Sequence, residues 1–127
     1  MLFQHTLDLV LSGEKTQTRR VVAREDAAEH GDGGEITAVK TSGRDKYRVG
    51  KTYAVQPARG KPAVARIRLL RIERKRASEM SAREARAEGV ASRAAFIEMW
   101  SSIHGANKLD ADVWVLTFEL VKADGEV

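Results

Sequence analysis

The stretch Gly13-Glu14-Lys15-Thr16-Gln17-Thr18-Arg19-Arg20 places an ammonium, two hydroxyls and two guanidiniums directly after a glycine that can end a helix. Upstream, residues 3–11 carry apolar side chains at helical spacing, so a short helix is predicted to end at Gly13. If the chain is extended from Thr16, the side chains of Thr18 and Arg20 share one face, with Lys15 at the bend. These residues are therefore predicted to line a cleft; the alternative is a helix-to-strand junction whose polar groups only satisfy the backbone.

Three segments follow the predicted first strand. Residues 23–46 contain several glycines, few large apolar residues and mixed charge, which predicts a flexible loop, either a lid or a disordered segment. Residues 51–56 and 63–73 are predicted strands, separated by a turn that two prolines bound. The alternation breaks at Leu69-Leu70, which predicts a β-bulge.

The C-terminal part predicts two helices and a strand. Ser81 to Gly89 begins with a capping box and ends on a glycine, and a second helix runs from Ser92 to Gly105. Residues 112–121 alternate as a strand does. The order of elements predicts one α+β domain over residues 1–127, with a small curled sheet and short flanking helices. The second helix has an apolar face that is predicted to pack in the core, formed by Phe96, Ile97, Trp100 and Ile103.

Composition excludes several function classes. The 127 residues include no cysteine, so disulfides, zinc fingers, thiol nucleophiles and iron–sulfur ligation are excluded. Metal-binding clusters, phosphate loops and dinucleotide fingerprints are missing, and we expect neither a metal nor a cofactor. No apolar run reaches the length of about 20 residues that a membrane helix needs, and no basic leader precedes the first apolar residues. A cytoplasmic monomer is expected.

The charge is unevenly distributed along the chain. The net charge is +4, yet between Lys40 and Arg76 there are 13 Lys or Arg residues and two acids. Such a segment attracts phosphate-bearing ligands, and nucleic acid is the first partner to consider. The alternative is that Arg66, Arg68 and Arg71 form the solvent face of a strand, with residues 74–76 in a solvated loop.

GEKTQTRR also fits the GxKxxTxR signature of the ASCH domain, with Gly13, Lys15, Thr18 and Arg20 at the four specified positions. The downstream YRVGKTYAVQPARGKPAVARIRLLRI, the AREARAEGV helix around Glu88 and the closing WVLTFEL resemble the bacterial and phage branch of that family. The resemblance implies a small β-barrel or curled sheet of PUA-like fold.

One activity that the resemblance implies is a metal-independent amidohydrolase that deacylates N4-acetylcytidine and related N4-acylcytosine nucleosides, with Lys15, Thr18 and Glu88 as the catalytic residues. A threonine nucleophile needs a neighbouring base, and Lys15 would supply it if burial or nearby arginines depress its pKa. Glu88 would orient the lysine or pass a proton to the leaving amine, and Arg20 would orient the substrate. The alternative for Glu88 is a solvated acid paired with a nearby arginine of the same helix.

RNA binding is a second function compatible with the resemblance. Tyr47 or Tyr53 would stack on an unpaired base of single-stranded RNA. Phosphates would be contacted by Lys15, Arg19, Arg20, Arg59 and Lys61. A third is a metal-independent ribonuclease, for which His5, His30 and His104 offer acid–base groups.

Overall fold

A computed structural model describes residues 1–3 and 6–123 of the chain. Within those ranges it contains an antiparallel sheet and three α-helices, an α+β arrangement that confirms the predicted fold class. The strands are β1 (Gln17–Val21), β2 (Asp26–His30), β3 (Ile36–Thr41), β4 (Arg44–Arg48), β5 (Thr52–Val55), β6 (Ala65–Arg76) and β7 (Asp112–Ala123). The helices are α1 (Leu7–Ser12), α2 (Ala82–Ala87) and α3 (Arg93–His104), and a 3₁₀ turn (Ala106–Lys108) follows α3.

The sheet runs in the order β1-β7-β6-β3-β2, while β4 pairs with β3 and β5 pairs with β6. β1 and β2 lie at opposite ends of this path. Over the described residues the small sheet is therefore not closed into a barrel. β1 pairs with β7 along its whole length, and its other edge is available to a ligand.

The predicted helix ends are confirmed. Gly13 ends α1 with a φ of 81°, the left-handed conformation that glycine adopts without strain. The Ser81 hydroxyl accepts a hydrogen bond from the Glu84 backbone N–H, and the Glu84 carboxylate accepts one from the Ser81 N–H, which completes the capping box of α2. Ser92 caps α3 by accepting a hydrogen bond from the Ala95 N–H.

The predicted bulge in β6 is also confirmed. The pairing of β6 with β7 shifts register between Leu69 and Arg71. As a result Leu69 is buried, while Leu70 is 45% exposed. Because of the extra residue, the apolar side chains of β6 face the core both before and after the bulge.

Residues 23–46, predicted to be one loop, instead contain β2, β3 and the first part of β4. The prediction failed because this segment has few large apolar residues, and small ones do the packing: Ala38 and Val39 are fully buried. Ser42 and Gly43 both have positive φ, at 52° and 80°, in the two-residue turn between β3 and β4. This turn geometry matches the twist of a hairpin.

β7 forms the centre of the core because it is covered on both faces. Trp114 and Leu116 pack with Val39, Leu69 and other residues on one side of the sheet. Val113 and Val115 pack on the other side against α3. Ile103 of α3 is 44% exposed, so its predicted place in the core is wrong.

Three arginines of β6, within the basic stretch of residues 40–76, are paired with acids. Residues 74–76 continue β6 and are not in a solvated loop as predicted. Arg68 lies 3.3 Å from Glu119, Arg71 lies 3.0 Å from Glu73, and Arg74 lies 2.8 Å from Asp112. Carboxylates of β6 and β7 therefore pair with three of the arginines of this segment.

Candidate active site

Two chain turns bring Lys15 and Glu88 together. Lys15 follows the glycine that ends α1, and its backbone N–H donates to the Leu9 carbonyl. Thr16 N–H donates to the Ala87 carbonyl at 2.7 Å, which ties the start of β1 to the end of α2. The residue that follows Ala87 is Glu88, and it is thereby held beside Lys15.

Gly89 allows this close approach. Its φ is +89°, and a Cβ built there would lie 2.7 Å from Leu9 Cδ1 and 3.5 Å from Lys15 Cβ. A side chain at this position would be strained by the backbone conformation and would also push against α1. Glycine therefore lets the end of α2 rest directly on α1 and Lys15.

Lys15 and Glu88 are both buried, with relative exposures of 4% and 2%. Lys15 Nζ donates to the backbone carbonyl of Glu88 at 3.0 Å and lies 3.9 Å from its carboxylate Oε2. Oε2 accepts no hydrogen bond. The predicted alternative, a solvated Glu88 paired with an arginine of its own helix, is therefore wrong.

Arg19 adds a second cation beside Glu88. Its Nη1 lies 3.7 Å from Glu88 Oε2, and its Nη2 donates to Glu84 Oε2 at 2.9 Å. Its guanidinium also lies over the Phe96 ring, 5.6 Å from the centroid. Glu84, the residue of the α2 capping box, thus holds Arg19 against both α3 and Glu88.

Arg20 approaches from the N-terminal side. Its Nη2 donates to the Leu2 carbonyl at 2.6 Å, and its guanidinium lies 5.2 Å from the centroid of the Phe3 ring. The Arg20 Nε is buried and has no hydrogen-bond partner. An unpaired buried donor is unusual, and here it accompanies an unpaired buried acceptor on Glu88.

Burial shifts the pKa values of both Lys15 and Glu88 in the direction that favours their neutral forms. Burial lowers the pKa of Lys15; the Glu88 carboxylate opposes this shift, and the Arg20 and Arg19 charges add to it. Burial raises the pKa of Glu88, against the opposing effect of Lys15 and the two arginines. A lysine in this environment is neutral at a lower pH than one in water, and only the neutral amine can act as a base.

These groups line a cavity of about 330 Å³, which we call the first cavity. Its polar end is formed by Lys15, Thr18, Arg19, Arg20 and Glu88. The other residues that line the cavity are mostly apolar; they are Leu2, Phe3, Thr6, Val21, Phe96, Met99, Trp100, Ile103 and His104. The first cavity therefore has one wall from residues near the N-terminus, one from α3, and the edge of β1 between them.

The open edge of β1 presents backbone groups to this cavity. Val22 N–H donates to Asp112 and Phe118 N–H donates to Thr16, so alternate residues of β1 pair with β7. By the alternation of an antiparallel ladder, the N–H and C=O groups of Arg19 and Val21 point to the other edge. These backbone groups lie on the edge of β1 that no described strand covers, beside the side chains that line the first cavity.

The structure brings together five of the predicted site residues, namely Lys15, Thr18, Arg19, Arg20 and Glu88. Tyr47 packs against the cluster that contains Trp114. Arg59 and Lys61 are exposed between β5 and β6 and do not line the first cavity. Of the predicted histidines, His104 lines the cavity, His30 lies on β2, and His5 falls outside the described residues.

Sequence reasoning missed the α3 wall of the site. Phe96 and Trp100 were predicted as core residues, and they are buried, but they also line the first cavity together with Met99. Glu84 was predicted only as a helix cap. The helical spacing of the apolar residues was a usable signal, but it did not show which part of the face borders a cavity.

Within the described ranges, no three His, Asp or Glu side chains form a group that could hold a metal ion. No helix in the same ranges is both long and apolar enough to cross a membrane.

Comparison with solved structures identifies the fold. The chain superposes on the ASCH domain of Lactobacillus crispatus with a TM-score of 0.59 and 19% sequence identity, covering 91% of this chain and 69% of that one. The chain has an ASCH fold. An Enterococcus faecalis protein of the family designated DUF984 is similar, with a TM-score of 0.57 and 19% identity over 94% of this chain and 72% of that one.

The predicted resemblance to the ASCH fold is thus confirmed at the level of structure. No family model matches the sequence, and no curated protein matches it. Because one fold serves many functions, the activity has to be argued from the site itself.

Proposed function

We propose that this ASCH-fold protein is a metal-independent amidohydrolase that converts N4-acylcytosine nucleosides, such as N4-acetylcytidine, to cytidine and a carboxylic acid. One observation carries the proposal: Lys15, Thr18 and Glu88 line one cavity, where Lys15 Nζ lies 3.9 Å from a buried Glu88 oxygen that accepts no hydrogen bond. A nucleophile, a base and a proton carrier thereby share the space in which an amide would bind.

The chemistry proceeds in two steps. Thr18 Oγ attacks the acyl carbonyl carbon while neutral Lys15 accepts the hydroxyl proton. The C–N bond then breaks, and the cytosine amine leaves with a proton delivered through Glu88. Water hydrolyses the acyl-threonine ester, which frees the carboxylic acid and restores the hydroxyl. The lowered pKa of Lys15 increases the fraction of the lysine that is neutral and able to act as the base.

Three buried polar atoms of this cavity lack a hydrogen-bond partner, namely Arg19 Nε, Arg20 Nε and Glu88 Oε2, and the last two suit recognition of the cytosine. Glu88 Oε2 is a buried acceptor and Arg20 Nε a buried donor, each without a partner. An N4-acylated cytosine carries an amide N–H and the acceptors O2 and N3, which complement this pair. Its planar ring fits against the apolar wall formed by Phe96 and Trp100.

RNA binding or cleavage in the same cleft has less support. Arg59 and Lys61, two of the cations expected to contact phosphates, do not line the first cavity. Arg19 is held by Glu84. Of the two described histidines, only His104 reaches the cavity, so an acid–base pair of histidines is not assembled within the described residues.

The test is to incubate the purified protein with N4-acetylcytidine and to measure the release of cytidine by chromatography. Lys15→Ala and Thr18→Ala should each lower kcat by at least about 10³-fold. Thr16→Ala is the matched control, because Thr16 lies in the same stretch but is exposed and does not line the cavity. Undiminished turnover by the Lys15→Ala protein, or no turnover by the wild type, would overturn the proposal.

A further inference from the structure

A second cavity, of about 370 Å³, lies next to the first. Val21, at the end of β1, lines both. Trp100 lines the first cavity, and its indole Nε1 donates to the carbonyl of Lys108, which lines the second. The two cavities therefore adjoin at the end of β1, and a hydrogen bond from Trp100 of α3 links a residue of the first cavity to a residue of the second.

The second cavity is surrounded by three cationic side chains, Arg24, Arg74 and Lys108. Arg24 and Lys108 are exposed. Neither forms an ion pair with any residue that the structure describes. Arg74 lies over the Trp114 ring at 5.3 Å and pairs with Asp112 at 2.8 Å.

The acids of the second cavity do not balance these cations. The Asp26 carboxylate also lines the cavity but is already occupied, because the Lys46 ammonium lies 3.1 Å away and it accepts hydrogen bonds from Thr41 and Trp114. Asp112 alone remains, and it faces Arg74. Arg24 and Lys108 are thus left without a carboxylate partner among the described residues, and the cavity that they line favours an anion.

We propose that the second cavity binds the phosphate of a ligand whose base and sugar occupy the first cavity. This inference rests on the proposed function and makes the preferred substrate a phosphorylated N4-acylcytidine in place of the free nucleoside. The Arg24 guanidinium and the Lys108 ammonium match the oxygens of a phosphate group, since arginine can bind two of them at once. The phosphate could belong to a mononucleotide or to a strand, and the same contacts would serve both.

The first experiment compares kcat/KM for N4-acetylcytidine, its 5′- and 3′-monophosphates, and a trinucleotide with N4-acetylcytidine in the middle. The wild type should prefer a phosphorylated substrate by at least about tenfold at low salt, the effect of one charge-assisted hydrogen bond. The double variant Arg24→Glu/Lys108→Glu should reduce that ratio to about one. A preference for the trinucleotide would identify a strand as the source, and a preference for a monophosphate would identify a nucleotide.

The matched control is Arg44→Glu/Arg83→Glu, which changes the net charge by the same amount on exposed residues outside both cavities. It should keep the wild-type ratio. If the control lowers the ratio as much as Arg24→Glu/Lys108→Glu does, the effect is one of overall charge and the second cavity is not a phosphate site.

A binding measurement separates this inference from the proposed activity. The affinities for cytidine and for cytidine monophosphates can be measured by titration calorimetry, which needs no turnover. If no substrate is hydrolysed, yet the monophosphate binds more tightly than cytidine and the double variant loses that difference, the proposed activity fails and the phosphate site stands. Equal affinities in the wild type, or an unchanged difference in the double variant, would overturn the phosphate site.

Discussion

Asp26 and Glu88 are two buried acids, each beside a lysine, and they are bonded in different ways. Lys46 Nζ lies 3.1 Å from Asp26, and the Asp26 oxygens also accept hydrogen bonds from the Thr41 hydroxyl at 2.6 Å and the Trp114 indole at 2.8 Å. The Ala23 N–H donates a further bond at 2.9 Å. Glu88 Oε2, by contrast, accepts none.

The pKa values of the two acids move in opposite directions. Burial by itself would raise the pKa of Asp26, but hydrogen bonds from Thr41, Trp114, Ala23 and Lys46 lower it to about 2. For Glu88, burial dominates and raises the pKa. Both Asp26 oxygens accept hydrogen bonds and so contribute to the stability of the fold, whereas Glu88 Oε2 accepts none and has only the cations of Lys15 and Arg19 nearby, at 3.9 and 3.7 Å. The comparison separates a fully hydrogen-bonded acid from the acid to which we assign the proposed function.

Glu88→Gln should give the largest effect. Because the amide cannot carry the proton, kcat on N4-acetylcytidine should fall by about 10³-fold, within the usual range for acid–base groups. The free energy of unfolding should change less than it does for Asp26→Asn, because Oε2 has no hydrogen bond to lose and its cations lie 3.7 and 3.9 Å away. Steady-state kinetics and urea denaturation measure the two effects. A destabilised variant with normal kcat would place Glu88 in the same structural class as Asp26.

Asp26→Asn should mainly affect stability. Replacing a buried, fully bonded carboxylate should lower the free energy of unfolding by about 3 kcal/mol. Thermal unfolding should show a Tm roughly 10 °C lower. A change below about 0.5 kcal/mol would contradict the structural role, because that is the size of an ordinary surface substitution.

The pH dependence of unfolding sharpens this prediction. The pKa of Asp26 is about 2 in the folded protein, against 3.8 as its ordinary value. Its stabilisation is therefore complete above 3.8 and is lost as the pH falls towards 2. The difference in unfolding free energy between the wild type and Asp26→Asn should shrink over that interval. A difference that persists unchanged at pH 2 would exclude the carboxylate as its cause.

Gly89→Ala should have a smaller effect on stability but should also disturb the site. The left-handed φ and the contact with Leu9 Cδ1 should lower the free energy of unfolding by about 2 kcal/mol. The shift of Glu88 away from Lys15 should also lower kcat. Adding Leu9→Ala removes the steric conflict, so the double variant should regain part of the lost kcat. No recovery would indicate that the backbone conformation alone matters.

Glu119→Gln should have the smallest effect. Glu119 pairs with Arg68 at 3.3 Å, but the two side chains are 50% and 44% exposed. Water screens such a pair, so the unfolding free energy should change by less than about 0.5 kcal/mol. A larger change, measured by urea denaturation, would show that exposure is a poor guide to which acids stabilise this fold.

Local signals in the sequence predicted much of the fold. Gly13, the Ser81 capping box and the doubled leucine in β6 each determine a backbone feature through neighbouring residues, and all three predictions hold. The predicted loop at residues 23–46 failed because its strands depend on distant partners. Asp26, for example, is anchored by Trp114 of β7, a contact that no local pattern reveals.

The same distinction applies to the site. The spacing of Lys15, Thr18 and Arg20 within one short stretch made their association predictable, and the resemblance to the ASCH domain added Glu88. The α3 wall and the link from Glu84 to Arg19 were not predictable, because they depend on how two helices pack against the edge of β1.

That edge of β1 has a consequence for association between molecules. Unpaired strand edges recruit strands from other chains, and proteins protect them with charged side chains or with covering elements. Here Arg19 and Arg20 lie on the edge strand, and α3 and the residues near the N-terminus rise on either side of it. The walls of the first cavity therefore also limit the access of a strand from another chain to this edge.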